Sequence, residues 1–314
     1  GVQTCALPIS VAMRAGYQAA ARYPTAYYGQ LALARLGRDG VELHAPSPAA
    51  NADSMAADER VRAADMLYTI GEPDIVLYFA ADLAEESPDV GMLEALGELT
   101  GRRNDARAML QIGKIALARG FAFDHYAFPV IGIPRHSPIA PDIGRSMTYS
   151  IARTESAFDQ RDKSAANAVG LMQVTPEAGR DTAKRFGVSY DWSRMVSDPV
   201  YNTQMGAAEL SALLAEYRGC HIMTFAGYNA GRGRVRDWIK AYGDPRDPKV
   251  DPVDWVERIP ISETRNYVQR VMENFVVYRA RFEDAGTAIA AKSGERVVTQ
   301  ETNAAPAGAA IPSQ

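Results

Sequence analysis

Met147-Thr-Tyr-Ser-Ile-Ala-Arg-Thr-Glu-Ser-Ala-Phe158 is the stretch on which the reading of this chain turns. Met147, Ile151 and Phe158 follow i, i+4, i+11 spacing, which places them within about 40° of one another on a wheel of 3.6 residues per turn. The spacing predicts one amphipathic helix whose apolar stripe continues through Phe158. Glu155, four residues after Ile151, borders that stripe. A carboxylate turned partly into a core is costly unless it is paired, or unless its pKa rises and it serves as an acid. For one such residue taken alone, pairing with Arg153 or a backbone amide is the simpler explanation.

The chain has 314 residues, 47% hydrophobic and 23% charged, enough for one large or two ordinary domains with proper cores. A net charge of −4 and a pI near 5.7 argue against a nucleic-acid partner, which normally meets a basic face. The basic cluster Arg232-Gly-Arg-Val-Arg236 reads as a solvated helix start. No stretch approaches the ~18 consecutive apolar residues of a membrane-spanning helix. Two cysteines, Cys5 and Cys220, are too few for a disulfide framework, and Cys220 reads as a small buried side chain in an apolar run. His44, His125, His136 and His221 never fall at metal-ligand spacing, and no glycine loop cradles a phosphate, so no metal and no cofactor is expected.

The opening Gly1-Val-Gln-Thr-Cys-Ala-Leu-Pro-Ile9 continues no helix or strand pattern and resembles a translated sequencing-adaptor peptide. Residues 1–9 are expected to be foreign and the chain truncated, so a missing signal peptide says nothing about the compartment. From Ser10 to about Gly120 the pattern is one of short amphipathic helices: Ser10–Ala21, Thr25–Leu36, Ala56–Ile70, Pro73–Glu85, Asp89–Leu99 and Asn104–Arg119. Pro24, Gly37, Gly71 and Gly101 punctuate them. Helices of this length without strands suggest an α-solenoid segment, although no strict repeat period is present. Phe121–Pro141, richer in proline and aromatics, reads as an extended linker, which completes a first region over residues 10–141.

A second helical block covers residues 142–284. Thr175-Pro176 and Asp198-Pro199 each set a capping side chain before a proline at the first helical position. The helix after Asp198 should reach Tyr217 and stop near Gly219. Ser262 should cap a long last helix carrying Val268, Val271, Met272, Phe275 and Phe282 at helical period. Residues 285–314, rich in Ala, Gly, Pro, Ser and Thr, read as a disordered tail. The fold class is therefore all-α.

Three segments of the second block can carry chemistry: Glu155-Ser156, then Ala168-Val-Gly-Leu-Met-Gln-Val-Thr-Pro176, then Phe225-Ala-Gly-Tyr-Asn-Ala-Gly-Arg-Gly-Arg-Val235. Gly170 permits close backbone approach, and Gln173 offers both a donor and an acceptor. Glycines let Tyr228 and Asn229 project from a tight helix-to-helix connection. Each segment alone is a weak signal. In this order and at these distances, with Ile259-Pro-Ile-Ser-Glu-Thr-Arg-Asn-Tyr267 closing the series, they resemble the goose-type-lysozyme-like catalytic domain of the soluble lytic transglycosylases. The resemblance covers roughly Ser146 to Phe282, and the preceding helices, including Tyr23-Pro-Thr-Ala-Tyr-Tyr-Gly-Gln-Leu31, resemble the superhelical and linker regions of the larger periplasmic members.

The resemblance implies a lysozyme-like helical domain that cleaves the β-1,4 bond between MurNAc and GlcNAc in peptidoglycan without water, leaving 1,6-anhydro ends. It makes Glu155 the single catalytic acid and Ser156 a loop-orienting residue. The saccharide-binding positions would be Ala168, Met172 and Gln173, then Tyr228 and Asn229, and finally Glu263 with Tyr267. It implies glycan strands as the binding partner, a periplasmic location, and N-terminal helices able to recruit cell-wall proteins. Three positions depart from the pattern: Gln160 where proline often stands, Thr175 where methionine can stand, and Gly227 in place of the common alanine.

The residues themselves add one constraint. Ordinary glycosidases need two carboxylates about 5 Å or 6.5–9.5 Å apart. Asp159 lies at i+4 from Glu155, on the same face of the same predicted helix, and cannot straddle a sugar ring with it; it reads as a helix-end or loop-ordering residue. Asp162 meets the same objection. A lone acid suits a substrate that supplies its own nucleophile, and partial burial would keep it protonated near neutral pH. Two other readings stand beside this one: a hydrolytic muramidase on the same fold, and a non-catalytic peptidoglycan-binding scaffold.

Overall fold

The computed structural model describes residues 11–38, 40–44 and 58–282. The adaptor-like opening and the tail from 285 lie outside them. No strand is present among the described residues, only two isolated bridges, Lys163 with Val169 and Val169 with Val174.

The N-terminal helices are α1 (Val11–Ala20), α2 (Tyr27–Arg35), α3 (Glu59–Thr69), α4 (Pro73–Glu86), α5 (Val90–Arg102), α6 (Ala106–Ala118) and the short α7 (Asp124–Ala127). Side-chain caps set several starts. Asp58 accepts from the Arg60 N–H, Asp89 from Met92 and Asp105 from Ala108. Each satisfies a donor that the first helical turn leaves without a partner. Thus Asp89 is the cap of α5 rather than its first residue, and α6 starts after Asn104, whose φ of 55° is left-handed. Gly101 does not end α5; the helix runs through it to Arg102. The segment expected to be an extended linker folds at its start into α7, because Gly97 and Gly113 leave room for it. A methyl group on Gly97 would overlap the Tyr126 ring, and one on Gly113 the backbone of Tyr126 and Ala127.

The second block holds α8 (Gly144–Glu155), α9 (Pro176–Phe186), α10 (Trp192–Ser197), α11 (Pro199–Glu216), α12 (His221–Ala230), α13 (Arg232–Tyr242), α14 (Pro252–Glu257) and α15 (Ser262–Arg281). Thr175 and Asp198 cap as the sequence predicts, with a proline following each, and Asp251-Pro252 repeats the device on α14. Ser262 does not cap α15: it is the first helical residue, after Ile261, and no side chain caps that end. The predicted stripe through Phe158 is also corrected. Helix α8 stops at Glu155, and Ala157 and Phe158 turn left-handed with φ of 51° and 67°. Phe158 is buried all the same, against Tyr149, because the turn folds it back under the helix it has left.

Helix α15 is the spine of this block, packed along α8 and α12. Its buried Val268, Val271, Phe275 and Tyr278 join Met147 and Ile151 of α8 and Phe225 of α12 in one core. That core does not end at residue 142. Ala106 and Leu110 of α6, and Ala127 and Phe128 after it, belong to it. Arg153 stacks over Phe128 at 4.2 Å and donates to the Ala127 carbonyl at 3.0 Å. A second core under α3–α7 is built on Leu93, Leu96 and Ile112. Helix α2 sits on α15: the Tyr27 N–H donates to the buried Glu273 carboxylate at 3.0 Å, and Gln30 donates to the Glu273 carbonyl.

Backbone atoms cannot retreat from a new methyl group as a flexible side chain can. Gly113→Ala is therefore expected to lower stability by about 1–3 kcal/mol, read as a lower midpoint in chemical denaturation. Gly101→Ala, where nothing lies within 4 Å of the added carbon, should leave the midpoint unchanged or raise it.

Candidate active site

Glu155 ends α8. Its position is therefore set twice, by the helix behind it and by the left-handed turn in front. Ser156 holds that turn: its single hydroxyl proton is shared between the Leu171 carbonyl at 2.9 Å and the Ala152 carbonyl at 3.2 Å. Gln160 ties the same two segments, accepting from the Leu171 N–H at 3.3 Å and donating to the Val196 carbonyl at 3.0 Å. That is the work of a residue standing where the resembled family often has proline.

The loop carrying Gly170, Met172 and Gln173 is fixed mainly through its backbone. Asn202, fully buried on α11, accepts from the Met172 N–H at 2.9 Å and donates to the Val169 carbonyl at 2.8 Å. Gly170 has φ of 77°, and the space a side chain would take there is filled by the Asn202 amide. The Tyr228 hydroxyl donates to the Met172 carbonyl at 2.8 Å. Gln173, with φ of 47°, donates to the Asp162 and Gly170 carbonyls, both at 3.1 Å.

These contacts revise the expected saccharide contacts. Met172 is fully buried against Gly206 and Ala168 is buried too, so their side chains do not line an open groove. Gln173, Tyr228 and Asn229 keep partial exposure, and Glu263 is exposed. Tyr228 and Asn229 lie in the last turn of α12 rather than in the connection after it. A methyl group on Gly227 would come within 3.0 Å of the Tyr217 ring, which favours the smaller residue at that departure from the family pattern. Thr175 is a helix cap. Asp159 orders the loop, accepting from the Arg161 N–H at 2.9 Å and pairing with Arg107 at 3.1 Å.

Around Glu155 the chain assembles two phenols and two acids. Tyr267 of α15 donates its hydroxyl to Glu155 Oε1 at 2.6 Å. Burial pushes the Glu155 carboxyl up to about 7; the Tyr267 hydrogen bond pulls it down, and the charges of Asp162 and Glu263 push it up again. Its place at a helix C-terminus adds to the upward push, since the unpaired carbonyls there disfavour an anion. Tyr228 and Tyr267 are both raised well above the ordinary phenol value, by burial first and then by the Glu155 charge, so both remain neutral donors.

Matching residues 140–250 is the family described as the transglycosylase SLT domain. Residues 140–250 are thus similar to that domain. A soluble lytic murein transglycosylase of Escherichia coli K12 is 36% identical over 151 residues, 48% of this chain and 23% of that protein. The membrane-bound lytic murein transglycosylase D of the same strain is 34% identical over 118 residues, 38% of this chain and 25% of that protein. Among solved structures, the 70-kDa soluble lytic transglycosylase in complex with bulgecin A superposes with a TM-score of 0.71 at 23% identity, over 90% of this chain and 45% of that one. An inactive glutamate-to-glutamine mutant of the lytic transglycosylase Slt from Pseudomonas aeruginosa gives 0.61 at 26% identity, over 88% and 44%. The chain spans about a quarter of these curated relatives and under half of these solved structures. The shared fold thus takes in the N-terminal helices as well as the SLT domain.

Three contributors escaped the motif reading. Asn202 staples the loop, and its one sequence signal is a polar residue on the buried face of α11. Thr264 donates to Asn229 Oδ1 at 2.6 Å and fixes that amide. Arg232, expected to be solvated, instead bridges Glu209 and Glu216, both at 2.8 Å, and ties α13 to α11. Cys220 is half-buried at the start of α12 rather than fully enclosed.

A carboxyl whose pKa is higher folded than unfolded binds protons more tightly in the folded state, so stability falls as pH rises between the two values. For Glu155 that window runs from the ordinary 4.5 to about 7. Glu155→Gln should therefore stabilise the protein at pH 8 by on the order of 1–3 kcal/mol and leave it unchanged at pH 4. Thermal unfolding at both pH values checks this; equal shifts at both would show that the carboxyl carries no such penalty.

Proposed function

We propose that the protein is a lytic transglycosylase that cleaves the β-1,4 bond between MurNAc and GlcNAc, with Glu155 as both acid and base. The observation that carries the reading is a half-buried carboxyl held by a phenol, with a pKa raised to about 7, inside an SLT domain. Tyr267 occupies Oε1, which leaves Oε2 to carry the acidic proton towards the glycosidic oxygen. Protonation breaks the C1–O4 bond and turns Glu155 into a carboxylate. The same carboxylate takes the proton of the muramic 6-hydroxyl as that oxygen bonds to C1, which closes the 1,6-anhydro ring and restores the acid. No water is consumed, and every proton returns to Glu155.

Asp159 offers no second carboxylate for hydrolysis, because both its oxygens are engaged by Arg107 and Arg161. Asp162 and Glu263 are the acids whose charge Glu155 feels, and a hydrolytic muramidase would have to use one of them to position water. The inactive glutamate-to-glutamine mutant named for the Pseudomonas aeruginosa relative supports a glutamate-dependent reaction. A cell-wall substrate also supports a periplasmic location; among the described residues no helix is long and apolar enough to cross a membrane.

Mass spectrometry of muropeptides from digested peptidoglycan tests the reaction. The expected ends are lighter by one water than hydrolytic ends; products carrying that water would assign the muramidase reaction instead. Glu155→Gln should lower turnover by about 10²–10⁴-fold, the usual worth of a positioned acid or base. Retained binding with no cleavage by the unmutated protein would instead make it a scaffold.

The pH profile adds a sign. The acid must start protonated, so kcat/KM should fall as pH rises through about 7. The Tyr267 hydrogen bond lowers the Glu155 pKa, so Tyr267→Phe should move that alkaline limb to higher pH. A limb that moved down would show that the phenol does not stabilise the carboxylate.

A further inference from the structure

Beyond the site, one group of side chains joins elements far apart in sequence. Asp74 stands in the first turn of α4 and Arg107 in the first turn of α6. Asp159 and Arg161 lie in the loop that begins directly after Glu155. Together they close a ring of alternating charge. Arg107 reaches Asp74 at 3.2 Å and Asp159 at 3.1 Å. Arg161 reaches Asp74 Oδ2 at 2.8 Å and Asp159 Oδ1 at 3.4 Å.

Exposed ion pairs contribute little to stability when apolar packing already holds their partners. Here apolar packing holds only part of the junction, where Ala106 and Phe158 close on Gly132. A cleft of about 660 Å³ separates the α3–α4 and α5–α6 turns from the loop, with Tyr68, Leu77, Asn104 and Gly132 among its walls. The ring lies along this cleft and links its two sides. Asp159 is its most protected member, at 16% exposure, against 64% for Arg161.

The path from the ring to Glu155 is short. The Asp159 N–H donates to the Ser156 carbonyl at 2.9 Å, and the Phe158 N–H to the Ala152 carbonyl at 3.3 Å, so the strained turn moves as one piece with the end of α8. Two consecutive left-handed residues without glycine persist only where their surroundings hold them. We propose that the Asp74–Arg107–Asp159–Arg161 ring is a positioning device, through which the N-terminal helices fix the turn that places Glu155. The inference rests on Glu155 as the acid.

The test uses the full chain with Arg107→Ala, Arg161→Ala and the conservative Arg107→Lys. Two quantities are read: kinetics on soluble glycan strands, and the midpoint of Glu155 from carboxyl NMR of the glutamate-labelled protein. The groups facing Glu155 are Tyr267 and Glu263 from α15, Tyr228 from α12 and Asp162 from the loop; none is altered. A loosened turn admits water, so the alanine variants should lower the midpoint by half a pH unit or more. They should lower kcat by roughly 5–20-fold with KM nearly constant, as expected for sub-ångström misplacement of a reacting group. Arg107→Lys should recover most of both. A midpoint that stays in place in the alanine variants overturns the proposal, whether or not turnover falls. Should Arg107→Ala fail to fold, Arg161→Ala gives the same two readouts from a largely exposed position. Glu155→Gln with full activity would refute the acid assignment separately, and the midpoint would still report whether the ring holds the turn.

Discussion

Removing one carboxyl group from water is the constraint around which this structure is arranged. Left alone, a half-enclosed carboxylate at the negative end of a helix would be expelled or neutralised. The chain instead supplies one phenol donor at 2.6 Å, enough to stabilise the group without ionising it fully at neutral pH. A second phenol, on Tyr228, is spent on the loop rather than on the acid. Had both phenols bonded to Glu155, its pKa would fall, and the carboxyl would be ionised at neutral pH. The division of labour between Tyr228 and Tyr267 therefore sets the protonation state as much as burial does.

Much of this was legible in the residues. Proline after an Asp or Thr marks a helix start by geometry alone, and α9 and α11 begin where that reading puts them. The all-α class followed from helical periods and the lack of alternating strands. What misled was periodicity carried past a break. Phe158 matches the angular period of α8 yet lies beyond its end, because a wheel records angle and cannot register a turn that folds back to the same side. Ser262 misled similarly: its residue type suits a cap, but α15 starts one residue earlier in the turn from Ile261.

In the site, the motif segments come together in the fold, and several of their side chains are more enclosed than the motifs alone suggest. Met172 reads as a groove residue, yet it is its peptide that matters, clamped between Asn202 and Tyr228. Asn202 and Thr264 were invisible for the opposite reason. Their partners are a backbone amide and a side-chain oxygen supplied by distant segments, and no local spacing encodes such a contact. Arg232 reads as solvated from its neighbours in sequence, while its environment is set by Glu209 and Glu216 two helices earlier, on α11.

The placement of α15 separates two boundaries that are easily taken for one. The family match ends at residue 250, whereas α15 begins at Ser262 and contributes both the spine of the core and Tyr267. The stretch that the family model covers is therefore shorter than the stretch that folds as a unit. On the other side, α2 satisfies the buried Glu273 carboxylate through the Tyr27 amide. Recombination that moved only residues 140–250 into another protein would carry Glu155 without the phenol bonded to it. What must move as a cassette is therefore larger than what the family model outlines.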